Sequence, residues 1–369
     1  MLKRVLAALL VLVMGGGLAA PAKVTPVSRD PYLSAIVLDA DTGQVIYEDN
    51  ADATGYPASV LKLMDLLIIL EKVQQGVLRL EDPVPVTAEA SKMGGSQVYL
   101  AEKEVFPLDD MLYALMIQSA NDAATALAIK VAGSRDAFVQ LMNEKAKALG
   151  MTRTKFASVH GLPPAPNSGV EPDVTTARDL GVLARELCKY PDAFRYTSTQ
   201  VRWFRNNTFE MRNHNKLLGT VDGVDGFKTG FFNAAGFSIV ATAKREGVRI
   251  IAVVMGSASR QVRDAKAAEL LAKGFLAVPR RPAVAAAPSA TSTSTPPGLA
   301  SSVASDNPAG GISEEEAAED TEGGVEEEPA AYFGWWKMGL GVVIGIGLAL
   351  GGMAFLNRRR SNDKSDLLR

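Results

Sequence analysis

The strand-like segments of this chain lie near the two ends of its body, and the helix-like segments lie between them. The predicted strands are 35–39, 44–47, 227–232, 236–243 and 248–255. The predicted helices are about 59–75, 108–132, 135–149, 175–189 and 263–274. Early and late strands can share one sheet if the fold closes on itself, with the helices packed against it. We therefore expect an α+β fold, in which one antiparallel sheet is flanked by helices and a helical subdomain lies beside it.

The first 22 residues have the order of a secretory signal peptide. Lys3 and Arg4 are followed by an apolar run at 5–14 and then by small residues that end at Ala22. A positive start, an apolar core and a small-residue end are typical of a segment that is removed during export. The apolar core is short for a bilayer span, which disfavours an uncleaved anchor. We predict a signal peptide at 1–22.

A second apolar segment, near the other end, is long enough to cross a membrane. The run at 338–356 contains 19 residues and no charge, close to the roughly 20 residues that a bilayer core requires. Trp335 and Trp336 precede it, and three arginines at 358–360 follow it, as at the outer and cytoplasmic ends of a membrane helix. We predict one transmembrane helix at 332–357 and a basic cytoplasmic tail at 358–369.

The segment at 279–331 has the composition of a linker. Its first half is rich in Pro, Ala, Ser and Thr, and its second half is acidic. Such a segment buries too little apolar surface to offset the entropy cost of ordering. We predict a disordered linker that joins the membrane helix to a folded domain at 23–278.

Composition narrows the classes of function. A formal net charge of −2 gives no electrostatic reason to expect nucleic-acid binding. The chain has a single cysteine, Cys188, so an intrachain disulfide is impossible. With only two histidines, His160 and His214, a multi-histidine metal site is disfavoured. We expect neither a bound metal nor a cofactor.

The first chemical motif is Ser59-Val60-Leu61-Lys62, at a predicted helix start. A spacing of three residues places both side chains on one helical face, one turn apart. A serine hydroxyl needs a base to become a nucleophile, and lysine is a base only when it is neutral, a state that burial favours. The same four-residue pattern recurs at 361–364, in the predicted tail, so this motif alone is a weak signal.

Two further motifs follow in order. Ser119-Ala120-Asn121 lies between two predicted helical segments, and alone it would most simply cap a helix. Lys228-Thr229-Gly230 lies in a late predicted strand, where the small Gly230 would let a substrate backbone lie against a sheet edge. A Ser-x-x-Lys motif at a helix start is thus followed by Ser-x-Asn and then by Lys-Thr-Gly. This ordered set of three motifs is much more specific than any one of them, because three independent coincidences would be needed to produce it.

Over about 32–275 the sequence resembles the low-molecular-mass penicillin-binding proteins, the D-alanyl-D-alanine carboxypeptidases of serine peptidase family S11. The matching stretches extend the three motifs and include several other segments: 57–64, 119–124, 138–151, 160–162, 176–180, 213–218 and 224–230. The resemblance implies a β-lactamase/DD-transpeptidase-like fold, which agrees with the order of strands and helices.

The resemblance also implies roles for individual residues. Ser59 would form an acyl-enzyme with a D-Ala-D-Ala peptide, with Lys62 as proton acceptor and Ser119 assisting proton transfer. The implied binding groups are Asn121 for the substrate amide, Lys228, Thr229 and Arg263 for the substrate carboxylate, Gly230 along the strand, and the N–H groups of Ser59 and Phe231 for the oxyanion.

The function predicted from this resemblance is removal of the terminal D-alanine from peptidoglycan pentapeptides during cell-wall synthesis. β-Lactams such as penicillin would acylate the same serine. The predicted location is the bacterial inner membrane, with a single span through the C-terminal helix and an extracytoplasmic, periplasmic catalytic domain. One departure concerns Phe231 and Phe232, since family members often have histidine and threonine there.

Several alternatives remain open or are disfavoured. A DD-endopeptidase would use the same site. A non-hydrolytic sensor of β-lactams or peptidoglycan is disfavoured by the short tail, and a catalytically dead wall-binding module by the intact motifs. A class A β-lactamase is disfavoured because no Glu-x-x-Leu-Asn segment lies between Ser119 and Lys228.

Overall fold

The computed structural model describes residues 24–279. The predicted signal peptide, the linker from residue 280 onward, the transmembrane helix and the cytoplasmic tail lie outside these residues. Between residues 24 and 279, no helix combines the length and apolar character that a bilayer crossing requires. All nine site residues predicted from the sequence lie inside the described range.

A five-stranded antiparallel sheet forms the centre of the fold. The strands of the described residues are β1 (Ser34–Asp39), β2 (Val45–Asp49), β3 (Pro83–Pro85), β4 (Val105–Pro107), β5 (Val201–Phe204), β6 (Phe209–Arg212), β7 (Val224–Phe232), β8 (Gly236–Arg245) and β9 (Val248–Ser257). The central sheet has the order β2-β1-β9-β8-β7. Early β1 pairs with late β9, with Ile36 opposite Val253. Closure by distant segments and the α+β architecture are thereby confirmed.

Helices cover both faces of the sheet and form the subdomain beside it. They are α1 (Lys62–Gln74), α2 (Leu108–Met116), α3 (Asn121–Ala132), α4 (Arg135–Ala148), α5 (Ala177–Leu187), α6 (Asp192–Thr197) and α7 (Arg260–Ala277), with short 3₁₀ helices at Ala58–Leu61 and Ala90–Lys92. α1 is the central helix, because every residue from Lys62 to Leu70 is buried. Its first turn therefore carries Lys62 into the interior rather than to the surface.

The two faces of the sheet belong to two apolar layers. Alternate residues of β8 point to opposite faces: Ile239 packs in one cluster with Leu270 and Leu271 of α7, whereas Val240 packs in the cluster that contains α1. β7 is an edge strand of this sheet, and the 3₁₀ helix Ala58–Leu61 lies against it. The start of α1 and the edge of the sheet thus meet at one place.

The structure differs from the sequence prediction in local detail. The helix expected to begin at Ser59 begins at Lys62, after a 3₁₀ turn that starts at Ala58 in a left-handed conformation with φ +47°. The junction predicted within the helical stretch at 108–132 lies between α2 and α3, and there Ser119 has φ +60°, which the sequence did not predict. The β3–β4 and β5–β6 hairpins and α6 were not predicted, since segments this short show no clear periodicity.

Candidate active site

Lys62 lies at the centre of a cluster of oxygen atoms. Its Nζ is 2.9 Å from Ser59 Oγ, 2.8 Å from Asn121 Oδ1, 2.8 Å from the His160 carbonyl oxygen and 3.5 Å from Ser119 Oγ. The lysine side chain is 0% exposed. The one-turn spacing of Ser59 and Lys62 therefore places the two groups in hydrogen-bond contact, although a 3₁₀ turn carries the serine.

Burial lowers the pKa of Lys62 to about 7, since the charged form loses its hydration. Three carboxyl groups, those of Asp65, Asp122 and Asp173, oppose this shift. They come from α1, α3 and the loop before α5. A lysine with a pKa near neutrality is present as a free amine in a large fraction of molecules at pH 7, and a free amine can accept a proton.

The turn between α2 and α3 aims Ser119 and Asn121 at the lysine. Ser119 adopts φ +60°, a conformation that is costly for a residue with a side chain and tends to occur at functional sites. The Asn121 side chain donates from Nδ2 to the Gly94 carbonyl (2.8 Å), which leaves Oδ1 facing Lys62. Its backbone N–H bonds the Ser96 carbonyl (2.7 Å). The loop at 94–96 is therefore part of the site wall.

The segment that carries His160 and Gly161 was not predicted to touch the reacting groups. The His160 carbonyl accepts a hydrogen bond from Lys62, whereas its imidazole Nδ1 accepts from the Leu162 N–H (3.1 Å). Burial lowers the pKa of His160 to about 3, so the ring is neutral at pH 7. Gly161 has φ +82°, and a Cβ there would lie 2.2 Å from the Ala58 carbonyl oxygen. This glycine lets the segment pack directly against the residue before Ser59.

The carboxylate of Asp173 fixes the segment that carries His160 and Gly161. Its carboxylate accepts from the N–H groups of Ala157 (2.6 Å) and Ser158 (2.9 Å) and from Ser158 Oγ (2.7 Å). Ser158 Oγ in turn accepts from the Gly161 N–H (2.9 Å). A buried carboxylate with several donors fixes the backbone around it, so the position of the His160 carbonyl is determined by this network.

A second buried lysine, Lys228, faces the same site from β7. Its Nζ donates to the Thr229 carbonyl (3.2 Å), and no carboxylate of residues 24–279 forms an ion pair with it. Burial, together with the positive charges of Lys62 and Arg263, lowers the pKa of Lys228 well below its ordinary value. Arg263, on α7, is also buried and pairs with the neighbouring Asp264 (Nε to Oδ1, 2.8 Å). An unpaired buried lysine beside a buried arginine suits an anionic ligand, whose charge would raise the pKa of Lys228 and favour its protonated form.

Gly230 has a packing role that the sequence did not predict. An ideal Cβ at Gly230 would lie 2.6 Å from the Pro57 carbonyl oxygen and 3.0 Å from the Ser59 backbone nitrogen. The small residue therefore lets the 3₁₀ helix of Ser59 approach β7. As predicted, β7 is an edge strand, so its backbone and the Ser59 N–H lie on the two sides of one narrow gap.

The two phenylalanines after Gly230 have different environments. Phe231 is 49% exposed, and its ring stacks on Phe237 with centroids 4.1 Å apart. Phe232 is half-buried and stacks on Tyr56 with centroids 5.7 Å apart. The first ring therefore presents an apolar surface to solvent at the end of β7, and the second supports the segment that leads to Ser59.

The structure brings the predicted site residues together. Hydrogen bonds join four of them, Ser59, Lys62, Ser119 and Asn121. Gly230 packs against the Ser59 turn and shares one strand with Lys228, Thr229 and Phe231. The charges of Lys62 and Arg263 both lower the pKa of Lys228, which places these three groups in one electrostatic environment. A hydroxyl beside a buried amine, near a second buried lysine and a buried arginine, can perform acyl transfer on a carbonyl compound that bears a carboxylate.

The comparisons with known proteins agree with this geometry. A family model described as D-alanyl-D-alanine carboxypeptidase matches residues 30–259. The chain is 36% identical over 66% of its length to D-alanyl-D-alanine carboxypeptidase DacF of Bacillus subtilis, and 35% identical over 65% to DacC of Escherichia coli. It is also similar to the crystal structure of penicillin-binding protein D2 from Listeria monocytogenes in the ampicillin-bound form. That match has 31% identity and a TM-score of 0.60, and covers 66% of this chain and 98% of the other.

The matched part spans 61% of the Bacillus subtilis protein and 60% of the Escherichia coli protein. The family model matches more than half of the chain and covers all three motifs. The chain therefore belongs to the D-alanyl-D-alanine carboxypeptidase family, peptidase family S11.

Proposed function

We propose that this protein is a serine-type D-Ala-D-Ala carboxypeptidase, which removes the terminal D-alanine from peptidoglycan stem peptides through an acyl-enzyme on Ser59. The observation that carries the proposal is the 2.9 Å contact between Ser59 Oγ and the Nζ of a fully buried lysine, Lys62. Family membership supports the choice of substrate.

The partners of Lys62 explain how Ser59 would be activated. A neutral lysine has two N–H donors and one lone pair. Asn121 Oδ1 and the His160 carbonyl, both at 2.8 Å, can only accept, so they take the two N–H groups. The lone pair is then directed at the Ser59 hydroxyl, which can donate its proton. This arrangement makes Lys62 the general base of the acylation step.

In the proposed reaction, one proton moves from Ser59 to Lys62 and then to the leaving amine. As Ser59 Oγ bonds to the carbonyl carbon of the penultimate D-alanine, its proton passes to Lys62. The carbon–nitrogen bond to the terminal D-alanine then breaks, and the leaving amine receives that proton, with Ser119 Oγ, 3.5 Å from Lys62 Nζ, assisting. Water attacks the ester in the reverse sense, with Lys62 again as base, and frees Ser59.

The substrate would be oriented by charge and by the strand edge. Lys228 and Arg263 are both buried, and the negative charge of a terminal carboxylate would raise the pKa of Lys228 and favour its protonated form. Thr229 belongs to the same motif as Lys228 and would bind that carboxylate. The N–H groups of Ser59 and Phe231, which lie on either side of the close approach that Gly230 allows, would bind the oxyanion. Asn121 would bind the substrate amide.

We further propose that β-lactams acylate Ser59, because they offer a strained amide together with a carboxylate. The relative from Listeria monocytogenes that binds ampicillin has the same fold. The proposed arrangement of the whole chain is a signal peptide at 1–22, a catalytic domain at 23–278, a linker at 279–331, a single transmembrane helix at 332–357 and a cytoplasmic tail at 358–369. The catalytic domain would then act outside the cytoplasm of a bacterial cell.

The direct test of this function is release of D-alanine from a peptide ending in D-Ala-D-Ala, measured from pH 5 to 9. We expect kcat/KM to rise with pH up to about 7 and then to level off. The sign follows from Lys62, since its pKa is about 7, and only the unprotonated amine, whose fraction falls about tenfold per pH unit below that value, is a base. A sensor would acylate without turnover, so the absence of D-alanine release would contradict the proposal.

A further inference from the structure

Phe231 is a large apolar side chain that lies half exposed at the end of β7, one residue after the glycine that packs against the Ser59 turn. It follows Gly230, whose Cβ position lies 3.0 Å from the Ser59 backbone nitrogen. Its ring is half exposed, yet it is fixed by stacking on Phe237 at 4.1 Å, with only 19° between the ring planes. Stacking of this kind is favourable beyond the area that it buries, so it holds the exposed ring in one orientation.

The strand register shows which part of a substrate this face would meet. Thr229 and Phe231 lie opposite Ile239 and Phe237 on β8 and share one face of the sheet, because side chains alternate along a strand. Ile239 belongs to the layer covered by α7, the helix that carries Arg263. The Phe231–Phe237 pair therefore continues the face that holds two of the groups proposed to bind the substrate carboxylate.

A terminal amino acid whose carboxylate is bound by Thr229 and Arg263 places its side chain close to that carboxylate, one bond from the same carbon atom. We propose that the Phe231–Phe237 stack is a subsite for the side chain of the leaving amino acid, and that it favours peptides whose terminal D-residue is apolar, including residues larger than alanine. This inference rests on the proposed function and names its leaving-group preference.

The proposed subsite is not suited to a leaving amino acid with a charged side chain. Two stacked rings offer no hydrogen-bond donor or acceptor, and transfer of a charged group onto an apolar surface is costly. Each methylene that such a contact removes from water changes kcat/KM by up to about 4-fold, and leucine has three more carbon atoms in its side chain than alanine. A D-leucine leaving group would therefore depend on Phe231 far more than a D-alanine leaving group would.

The test uses two peptides that differ only in the last residue, one ending in D-Ala-D-Ala and the other in D-Ala-D-Leu, with the full-length protein. For Phe231→Ala we expect kcat/KM on the D-Leu peptide to fall at least about 10-fold more than on the D-Ala peptide. Phe231→Leu should recover most of this difference. The matched control is Trp203→Ala, which truncates another half-exposed aromatic residue (51%) on β5, and it should leave the ratio unchanged.

The possible results distinguish a wrong subsite proposal from a wrong function proposal. Equal losses on both peptides in Phe231→Ala would overturn the subsite, as would a wild-type protein that cleaves the D-Ala peptide but not the D-Leu peptide. A wild-type protein that cleaves neither peptide would instead contradict the proposed carboxypeptidase activity. Comparable labelling of the variants by a fluorescent penicillin would show that their active sites are folded.

Discussion

Replacing Lys62 by alanine is expected to lower the rate of Ser59 acylation by at least about 100-fold while the domain remains folded. General-base catalysis contributes about 10²–10⁴-fold, and Lys62 Nζ is the only nitrogen base within 3.5 Å of Ser59 Oγ among the hydrogen bonds of residues 24–279. The loss leaves Asn121 Oδ1 and the His160 carbonyl without their donor, which costs about 1–3 kcal/mol for each group. It also removes a buried cation, which offsets part of that cost.

The measurement is the time course of labelling by a fluorescent penicillin, with circular dichroism to confirm folding. Lys62→Arg is an informative companion, because arginine keeps the positive charge but cannot be deprotonated; it should be as inactive as Lys62→Ala. Lys72→Ala changes a lysine in the last turn of the same helix and should label like the wild type. Rapid labelling of a folded Lys62→Ala variant would refute a lysine base.

Gly161→Ala is expected to reduce acylation by at least about 100-fold, although Gly161 contributes no side chain. Its φ of +82° disfavours a residue with a Cβ, and that Cβ would lie 2.2 Å from the Ala58 carbonyl oxygen and 2.4 Å from its carbon. Both obstacles are backbone, so either the His160 carbonyl or the Ser59 turn must move. A displacement of about 1 Å from the reactive geometry can cost 10²-fold in rate.

A matched control separates the clash from the backbone conformation. Gly133, at the end of α3, has φ +81°, and no atom lies within 4 Å of its Cβ position. Gly133→Ala therefore carries the same conformational cost, about 1 kcal/mol, without the collision. We expect it to lower the melting temperature slightly and to leave the labelling rate unchanged. Equal labelling rates for the two variants would show that Gly161 is not needed to position the His160 carbonyl and the Ser59 turn.

The fold could be predicted from the sequence where its signals are long. The strands near both ends of the domain and the long helices produce clear periodic patterns, and their order predicts one sheet that joins early and late strands, as the pairing of β1 with β9 confirms. The short hairpins and α6 were missed because three to six residues do not define a period. The start of α1 was misplaced because nothing in the sequence reveals that Ala58 adopts φ +47°.

The side chains of the site could be predicted, but its backbone contributions could not. Ser59 and Lys62 have the spacing of one helical turn, Ser119 and Asn121 belong to a motif at a helix junction, and the other three side chains lie 2.8–3.5 Å from Lys62 Nζ. The carbonyl of His160 carries no sequence signal, since any residue supplies one. The neighbouring Gly161 is the sequence feature that marks this segment, but the need for glycine there is explained only by its distance to Ala58 in the structure.

The charged groups around Lys62 could not be identified from the sequence. The three carboxyl groups that oppose the lowering of its pKa come from distant parts of the chain, and burial makes each of them harder to ionise. Lys228 is similarly buried but has cations as its neighbours, and both effects lower its pKa. A bound carboxylate would raise that pKa again and favour the protonated amine, so the neighbours of each lysine suit it to a different task, Lys62 as a base and Lys228 as a group that binds an anion.

The most direct test of the account is to locate the covalent bond that a penicillin forms with the full-length protein. Intact mass and peptide mapping should show one penicilloyl group on Ser59 in the wild type. The Ser59→Ala variant, with its fold confirmed by circular dichroism, should remain unmodified and release no D-alanine from a D-Ala-D-Ala peptide. Equal labelling of the two proteins, or attachment at a residue other than Ser59, would contradict the assignment of Ser59 as the nucleophile.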